Sequence, residues 1–514
     1  MNFKNLCRPI LAVTLIVTPM VWADTKVALD VEHPGSQINK NIYGQFMEHL
    51  GRGIYEGVWV GEDSKIPNTN GYRNDVVKAL KELKVPLLRW PGGCFADEYH
   101  WQDGIGPRDQ RPKGVNTNWG GVIEPNSFGT HEFLNFAEML GADAYVNGNL
   151  GTGTAKEMAQ WLEYMTSDSD STLANMRRAN GRDKPWKLPF FAIGNETWGC
   201  GGSMTPEFYG HLYKQYASFL KTPADNTPIL IASGGTDDRL DWTEELSSLD
   251  PVFAYRIEAI SHHYYTVPTG VWEKKGNALG FPEEEWASTM SRTLHMEEIL
   301  KKNLAILDKN DPEKKLGFYV DEWGTWYDVS EGDPGFLYQQ NSIRDAVVAA
   351  LNLNLFHQHA ERVQMTIIAQ MVNVLQAMIL TDKEKMILTP TYHVFRMHTP
   401  FQDATYLPVS LTGNPEYKLG EHSVPKISAS AAKDKDGKIW ITLVNTNPSD
   451  SEIIEVEGKY TSLVGEVLSA DKMDAHNTFE APNTVTPVVF KAKASNGKLR
   501  LKLPAKSVLV AELK

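Results

Sequence analysis

Short apolar runs alternate with amphipathic helical patterns from about residue 40 to residue 400. Runs that are apolar throughout are typical of strands buried on both faces, as in a parallel sheet. Eight of them occur, at 42–48, 86–90, 143–147, 190–195, 228–233, 259–265, 318–322 and 365–372. The helical patterns between them include 74–83, 130–140, 155–165, 206–219, 286–307 and 341–360.

Eight strand-then-helix units predict an α/β fold that closes on itself. A (β/α)8 TIM barrel needs eight such units. The alternative is a doubly wound open sheet, which needs a Gly-rich phosphate turn after its first strand, and Gly44-Gln45-Phe46 is not such a turn. We therefore predict a TIM barrel over residues 41–400, with its functional residues at the carboxyl ends of the strands.

The pattern changes after residue 400. Segments 439–445, 485–491 and 507–513 alternate apolar with polar residues or are β-branched, and polar turns such as 433–437 and 495–497 separate them. This texture predicts a C-terminal antiparallel β-sandwich over residues 401–514. Residues 27–31 have the same character, so we expect segment 24–40 to add a strand to that sandwich.

The first 23 residues have the three parts of a secretory signal peptide. Lys4 and Arg8 precede an apolar stretch at 10–21, and Val21-Trp22-Ala23 resembles a cleavage site. The stretch is short for a membrane anchor, and no second apolar run follows it. We therefore expect cleavage after Ala23 and export to the periplasm or the medium.

Charge and cysteine content narrow the function classes. The formal net charge is −13, which argues against nucleic acid or an anionic membrane as a partner and suits a neutral substrate. Export would allow Cys94 and Cys200 to form a disulfide. Both stand in Gly-rich turns after predicted strands, and a core of this size needs no cross-link, so we expect free thiols.

Two predicted strands end in a carboxylate beside aromatic and small residues. The fourth run ends in Asn195-Glu196 and the seventh in Asp321-Glu322. A pair of carboxylates at the mouth of a barrel is what glycoside hydrolysis requires, one as the acid and the other as a base or nucleophile. Adjacent strand residues face opposite ways, so only one of Asp321 and Glu322 is expected to face the site.

The strand-end segments together resemble the α-L-arabinofuranosidases of glycoside hydrolase family 51. The matching segments are YGQFMEHLGR at 43–52, LRWPGGCF at 88–95, GNETWG at 194–199, SHHYY at 261–265, DEW at 321–323 and AQMVN at 369–373. They run from the first predicted barrel strand to the last. The resemblance implies a retaining, exo-acting enzyme that releases terminal arabinofuranose from arabinan- or arabinoxylan-type hemicellulose.

The resemblance also implies roles for individual residues. Glu196 matches the general acid/base and Glu322 the nucleophile, with their carboxyl groups about 5–5.5 Å apart. Asp321 is left with a structural partner. The resemblance implies no cofactor and no metal, and it hints at a homo-oligomer. The remaining candidates are substrate-binding residues: Glu48, Arg89, Cys94, Asn195, His263, Tyr265, Gln370, Trp119 and Trp326.

Several alternatives stay open from the sequence. Glu48 and Arg89 also suit a buried ion pair that holds the barrel mouth together, and Trp119 and Trp326 also suit the core. Some family members carry Asn where this chain has Cys94. The same site on this fold also suits a β-xylosidase or an endo-glucanase, and a carbohydrate-binding protein without catalysis is an alternative of another class.

Overall fold

The computed structural model of the protein describes residues 25–249, 255–330 and 332–514. The predicted signal peptide at residues 1–23 lies outside these ranges. None of the helices in the described ranges combines the length and the apolar character that a membrane crossing requires.

Parallel strands close into a barrel, which confirms the predicted TIM-barrel fold. Each strand pairs with the next one along the chain, and the eighth closes on the first through Ile367 and Gly44. In chain order within the described ranges the barrel strands are Gly44–Phe46, Leu87–Trp90, Asp143–Gly148, Phe190–Ile193, Ile229–Ala232, Ala259–Thr266, Gly317–Thr325 and Met365–Ile368.

Helices surround the barrel. The helices Thr172–Ala179, Leu240–Ser247 and Pro390–Met397 were not predicted, because eight residues are too few for a sustained periodic pattern. The longer helices follow the predicted ranges: Asn74–Glu82, Thr130–Leu140, Ala155–Thr166, Pro206–Phe219, Glu283–Asn310 and Ile343–Gln358.

Short 3-10 turns and hairpins lie between and after the barrel strands. The connection after the second strand is the richest, and it carries Trp119 to the barrel mouth. It contains 3-10 turns at Cys94–Glu98, Trp101–Gly104 and Arg108–Gln110 and a hairpin of Gly114–Asn116 with Val122–Glu124. Elsewhere there are 3-10 turns at Lys40–Tyr43 and Thr399–Phe401, and hairpins of Asn68–Thr69 with Tyr72–Arg73, Ile379–Asp382 with Lys385–Leu388, and Glu416–Leu419 with His422–Pro425.

The barrel interior is filled with large apolar side chains below its mouth. Phe46, Tyr145, Phe190, Tyr319 and Met365 are buried in one cluster. The polar residues above them therefore rest on a packed apolar layer, which restricts the side-chain motion of the site.

Two sheets pack face to face to form the second domain. The smaller sheet has the order Val409–Thr412, Thr25–Leu29, Glu452–Val456 and Leu499–Leu503. The larger sheet has the order Thr405–Leu407, Ile427–Lys433, Ile439–Asn445, Ser507–Leu513, Ser462–Leu468 and Val488–Lys493. The early strand Thr25–Leu29 pairs antiparallel with Val409–Thr412 and parallel with Glu452–Val456, so one parallel pair occurs in an otherwise antiparallel sandwich.

The helix Ile343–Gln358 joins the two domains. It is buried along almost its whole length because the barrel covers one side of it and the larger sheet covers the other. Asn354 Nδ2 donates to Ser428 Oγ at 3.0 Å, and His357 Nδ1 lies 3.0 Å from Ser430 Oγ. The barrel and the sandwich thus share polar contacts as well as core.

Candidate active site

A cavity of about 770 Å³ opens at the carboxyl ends of the barrel strands. The structure brings all of the predicted site residues to it. Arg89, Asn195 and His263 lie beneath its surface: Arg89 and His263 contact the carboxylates that line it, and Asn195 Oδ1 accepts a hydrogen bond from Arg89. The predicted residues on its walls are Glu48, Cys94, Trp119, Glu196, Tyr265, Glu322, Trp326 and Gln370.

Glu322 is fixed by two hydrogen bonds at the end of the seventh strand. Arg89 Nη1 donates to its Oε2 at 2.9 Å, and the Tyr265 hydroxyl donates to its Oε1 at 2.7 Å. The side chain is 10% exposed, so the carboxylate reaches the cavity while both oxygens keep a protein donor. A carboxylate held by a buried guanidinium keeps a fixed orientation.

A β-bulge lies in the seventh strand at this point. Tyr319 stands opposite Ser261 but Glu322 stands opposite His263, so the seventh strand contains one more residue than the sixth over this stretch. The register to the eighth strand shifts in the same region. An extra residue breaks the alternation of side chains between the two faces of a sheet.

The bulge places both Asp321 and Glu322 inside the barrel, where a regular strand would turn one of them outward, but only Glu322 lines the cavity. The Tyr145 hydroxyl donates to Asp321 Oδ2 at 2.6 Å, and His263 Nε2 lies 3.2 Å from Oδ1. Burial alone would raise the pKa of Asp321, but Arg89, His263 and Tyr145 hold it below its ordinary value. Asp321 is therefore a buried anion beneath the cavity floor.

Glu196 follows the fourth strand in a left-handed backbone conformation. Its φ is +41°, a region that non-glycine residues seldom occupy and that recurs at functional sites. His263 Nδ1 lies 2.8 Å from its Oε1. Burial raises the pKa of Glu196; the contact with His263 opposes this rise, and the negative charge of Glu322 adds to it.

His263 stands between three carboxylates. Besides Glu196 and Asp321, its Nδ1 lies 3.6 Å from Glu322 Oε2. Burial would lower the pKa of His263, but Glu322, Asp321 and Glu196 raise it to about 10. The imidazole is thus positively charged at neutral pH.

The two glutamates of the predicted catalytic pair converge. A carboxylate oxygen of Glu196 and one of Glu322 lie within 4.8 Å of each other, with His263 Nδ1 between them. This approach favours the roughly 5–5.5 Å carboxyl spacing of enzymes in which one carboxylate attacks the sugar directly over the roughly 6.5–9.5 Å spacing of inverting enzymes.

Glu48 lines the cavity together with the two glutamates of the predicted catalytic pair. Its Oε1 accepts hydrogen bonds from Trp119 Nε1 at 2.8 Å and Gly93 N–H at 2.9 Å, and its Oε2 accepts one from Gln370 Nε2 at 2.8 Å. Burial and the charge of Glu322 raise the pKa of Glu48 to about 7 in spite of these donors. The alternative of a buried ion pair applies to Arg89, which pairs with Glu322, whereas the hydrogen-bond donors to Glu48 in the described ranges are uncharged.

Sequence reasoning missed Asp97. Its Oδ2 accepts a hydrogen bond from Asn195 N–H at 2.9 Å, and its Oδ1 accepts from Leu150 N–H at 2.8 Å and Gly151 N–H at 3.1 Å. It therefore ties together the connections after the second, third and fourth strands. A carboxylate seven residues past Trp90, in a Gly-rich turn, was the available signal.

Cys94 and Cys200 form a disulfide, so the expectation of free thiols was wrong. The turns after the second and fourth strands meet at the barrel mouth, and the two Cα atoms are 5.5 Å apart. Gly201 makes this approach possible, because a Cβ there would lie 1.9 Å from the Asn195 carbonyl oxygen. The cross-link lies beside the cavity, four residues from Glu196.

Aromatic side chains form one wall of the cavity. Trp326 packs edge-on against Tyr265 and against Trp272, each with ring centroids 4.9 Å apart. Trp272 is half exposed at the rim, and Trp198 lines the cavity elsewhere. Trp272 and Trp198 were not predicted, because a tryptophan in a long connection gives no pattern that distinguishes a sugar platform from core.

Two family models match the chain. The model described as the α-L-arabinofuranosidase 1 domain matches residues 79–278, and the model described as the α-L-arabinofuranosidase C-terminal domain matches residues 321–507. Together the models cover most of the barrel and of the sandwich.

Relatives match over nearly the whole chain. An intracellular exo-α-L-arabinofuranosidase of Bacteroides ovatus is 52% identical, with 93% of each chain covered. The crystal structure of the GH51 arabinofuranosidase from Xanthomonas axonopodis pv. citri has a TM-score of 0.92 at 51% identity, covering 96% of this chain and 100% of that one. The arabinose complex of the α-L-arabinofuranosidase from Thermotoga maritima has a TM-score of 0.82 at 30% identity, covering 95% and 99%.

The expectation of export was wrong by this comparison. The Bacteroides ovatus enzyme, which matches over 93% of the chain, is described as intracellular. A short apolar stretch after two basic residues is not by itself sufficient to identify a secreted protein.

Proposed function

The chain belongs to the α-L-arabinofuranosidases of glycoside hydrolase family 51, and from this premise we propose that it releases terminal arabinofuranose with retention of configuration. The observation that carries the mechanism is the approach of Glu196 and Glu322 to within 4.8 Å at the barrel mouth. The substrates we propose are arabinan- and arabinoxylan-type hemicelluloses or their oligosaccharides.

Glu322 is the proposed nucleophile. Arg89 and Tyr265 each hold one of its oxygens, so the carboxylate is oriented before substrate arrives. Attack on the anomeric carbon forms a glycosyl ester with Glu322, and the leaving oxygen departs. As the ester forms, the negative charge on Oε2 decreases. Arg89 keeps the hydrogen bonds that it already donates to Asn195 Oδ1 and to the Asp321 carbonyl oxygen.

Glu196 is the proposed acid and base. In the first step its carboxyl group donates a proton to the leaving oxygen, and in the second step the resulting carboxylate takes a proton from the water that hydrolyses the ester. Burial and the adjacent Glu322 favour its protonated form in the resting enzyme. That effect weakens once Glu322 is esterified, which suits the change from acid to base.

The walls of the cavity support an exo mode of action. Glu48 with its donors Trp119, Gln370 and Gly93 forms a closed, polar end beside the two glutamates. Such an end suits the hydroxyl groups of a terminal sugar. Tyr265, Trp326 and the half-exposed Trp272 line another side of the cavity. Aromatic faces of this kind pack well against the apolar face of a leaving-group sugar.

A panel of aryl glycosides tests the proposed function. We expect rapid hydrolysis of an aryl α-L-arabinofuranoside and much slower hydrolysis of an aryl β-D-xyloside and an aryl β-D-glucoside. NMR of the first product formed should show α-arabinofuranose before mutarotation. A faster xyloside or glucoside reaction would assign the site to a β-xylosidase or glucanase, and an inverted first product would reject the double displacement.

A further inference from the structure

Both ring nitrogens of His263 face carboxylates in a buried site. Nδ1 lies 2.8 Å from Glu196 Oε1 and 3.6 Å from Glu322 Oε2, and Nε2 lies 3.2 Å from Asp321 Oδ1. A neutral imidazole carries hydrogen on only one nitrogen, whereas the imidazolium donates from both. The carboxylates on both sides therefore match the charged ring, Glu196 as a hydrogen-bond partner and Asp321 as an ion-pair partner.

Asp321 has no role that touches substrate. It is 1% exposed and does not line the cavity. His263 and Glu322 lie between Asp321 and the cavity. The Tyr145 hydroxyl holds its other oxygen at 2.6 Å. The bulge in the seventh strand turns this carboxylate inward, next to the nucleophile on the same strand, where a regular strand would turn it toward the outer helices.

We propose that Asp321 is a positioning residue that holds His263 as an imidazolium between the two catalytic glutamates. The proposal rests on the proposed roles of Glu196 and Glu322. Asp321 acts through His263: its negative charge keeps the second proton on the ring, and its fixed position directs Nδ1–H toward Glu196 Oε1.

The imidazolium has a function in each half of the reaction. When Glu196 gives its proton to the leaving oxygen, its Oε1 becomes negative 2.8 Å from Nδ1–H, and that charge is stabilised without any movement of His263. In the second half, Glu196 takes one proton from water and returns to its first state. The ring neither gains nor loses a proton over the cycle.

The charge of His263 depends on the titratable and polar groups around it. His262 on the same strand contributes little, because burial lowers its pKa to about 3 and it stays neutral. The polar and charged groups of this cluster are Glu48, Arg89, Tyr145, Glu196, Tyr265, Asp321 and Glu322. Thr236 and Asp237, in the connection after the fifth strand, contact the backbone of His263.

Replacement of Asp321 by the isosteric Asn tests the proposal. Loss of a negative charge from the buried cluster weakens proton binding by the Glu196–His263 pair as a whole. With an aryl α-L-arabinofuranoside, the alkaline limb of the kcat/KM profile of Asp321→Asn should move to lower pH by roughly 1–3 units. Tyr145→Phe is the matched control, since it removes the other contact of Asp321 and keeps the charge, so its alkaline limb should stay in place.

A second measurement does not depend on activity. ¹⁵N NMR of histidine-labelled enzyme, with the His263 signal identified by its loss in His263→Asn, should show both ring nitrogens protonated at pH 8 in the native enzyme. Asp321→Asn should lose that second proton at lower pH. A neutral His263 in the native enzyme, or a pH profile of Asp321→Asn that superposes on the native one, overturns the proposal.

The two proposals fail in different ways. If the native enzyme does not hydrolyse the arabinofuranoside, the proposed function is wrong, while the NMR titration still decides whether Asp321 holds the charge of His263. If Asp321→Asn does not fold, the native titration and Tyr145→Phe remain, and a native His263 that is neutral at pH 8 still rejects the role of Asp321.

Discussion

Glu322 provides the most direct test at the scale of a single residue. Its proposed function is to form a covalent bond, and the neighbouring Tyr265 and Arg89 have no carboxylate to replace it. We expect Glu322→Ala to fold normally and to lose turnover on every substrate by about four orders of magnitude or more. Azide, as a small external nucleophile in the vacated space, should restore part of the activity and give an azide product of inverted configuration. Near-normal activity without azide would assign the nucleophile elsewhere.

Glu196→Ala should give a different result, because an acid matters most when the leaving group is poor. We expect formation of the glycosyl-enzyme to survive for an aryl group of low pKa and to fall by about 10²–10⁴-fold for a sugar leaving group. The second step still lacks its base, so a pre-steady-state burst should appear with the aryl substrate. An equal loss for good and poor leaving groups, without a burst, would contradict the role of Glu196.

Single residues also mark where the sequence stops being informative. The types and positions of Glu48, Arg89, Glu196, His263, Tyr265 and Glu322 follow from the strand-end pattern and the resemblance, and the structure gathers all of them at one cavity. The inward position of Asp321 does not follow, because alternation along a strand predicts the opposite. A bulge depends on the register between neighbouring strands, and the sequence of one strand does not contain that register.

At the scale of elements, a substitution of Asp97 tests how the segments that follow the second, third and fourth barrel strands are held together. Asp97→Asn keeps the shape but places an amide N–H₂ toward at least one of the backbone N–H groups of Leu150, Gly151 and Asn195. Leaving a buried donor without an acceptor costs about 1–3 kcal/mol. We expect the free energy of unfolding to fall by that amount in urea denaturation, and kcat to fall as the Asn195–Glu196 segment loosens.

Glu98→Gln is the matched control for Asp97→Asn. Glu98 lies next to Asp97 in the same turn, but it is exposed and contacts only the Thr117 hydroxyl in the described part of the chain. Its replacement should leave both stability and kcat close to native values. Equal effects of the two substitutions would mean that the turn tolerates neither change and that Asp97 has no special connecting role.

The elements themselves were well predicted from the sequence. The eight barrel strands were found because strands buried on both faces leave long apolar runs, and the helix Pro206–Phe219 was found with its bounds because Thr205 and Pro206 mark its start. The Cys94–Cys200 disulfide was not, since it depends on how two turns from non-adjacent strands meet in space. Which turns come into contact is determined by the closed barrel and not by the sequence of any single turn.

Protonation of buried neutral histidines should destabilise the molecule in acid. Burial lowers the pKa of His398 to about 4, so this residue binds a proton more readily in the unfolded chain than in the folded one. The unfolded state therefore gains protons as pH falls from about 6.5 to about 4, and stability falls with it. In the described ranges the histidines whose pKa is lowered by burial are His131, His262, His357, His359, His393 and His398.

Groups whose pKa is raised in the folded protein oppose this trend: the carboxyl groups of Glu48, Asp97, Asp103, Glu196, Asp237 and Glu258, and the imidazole of His263. Burial raises the pKa values of Glu48 and Asp97 to about 7, so their contribution to stability is largest at low pH and is lost as pH rises toward 7. Each neutral buried histidine alone would lower the free energy of unfolding by at most about 1.4 kcal/mol per pH unit between pH 6.5 and 4.5, the value for one proton, and the raised groups reduce the sum. Urea denaturation at several pH values measures the net slope.

The position of Thr25–Leu29 has a consequence for how the polypeptide is made. This strand lies in the middle of the smaller sandwich sheet, between Val409–Thr412 and Glu452–Val456. On the ribosome it emerges about 380 residues before its first partner, so it must wait unpaired while the barrel folds. The smaller sheet can therefore form only when synthesis is nearly finished. A nascent chain that ends before Val409 leaves the strand Thr25–Leu29 without either of its partner strands.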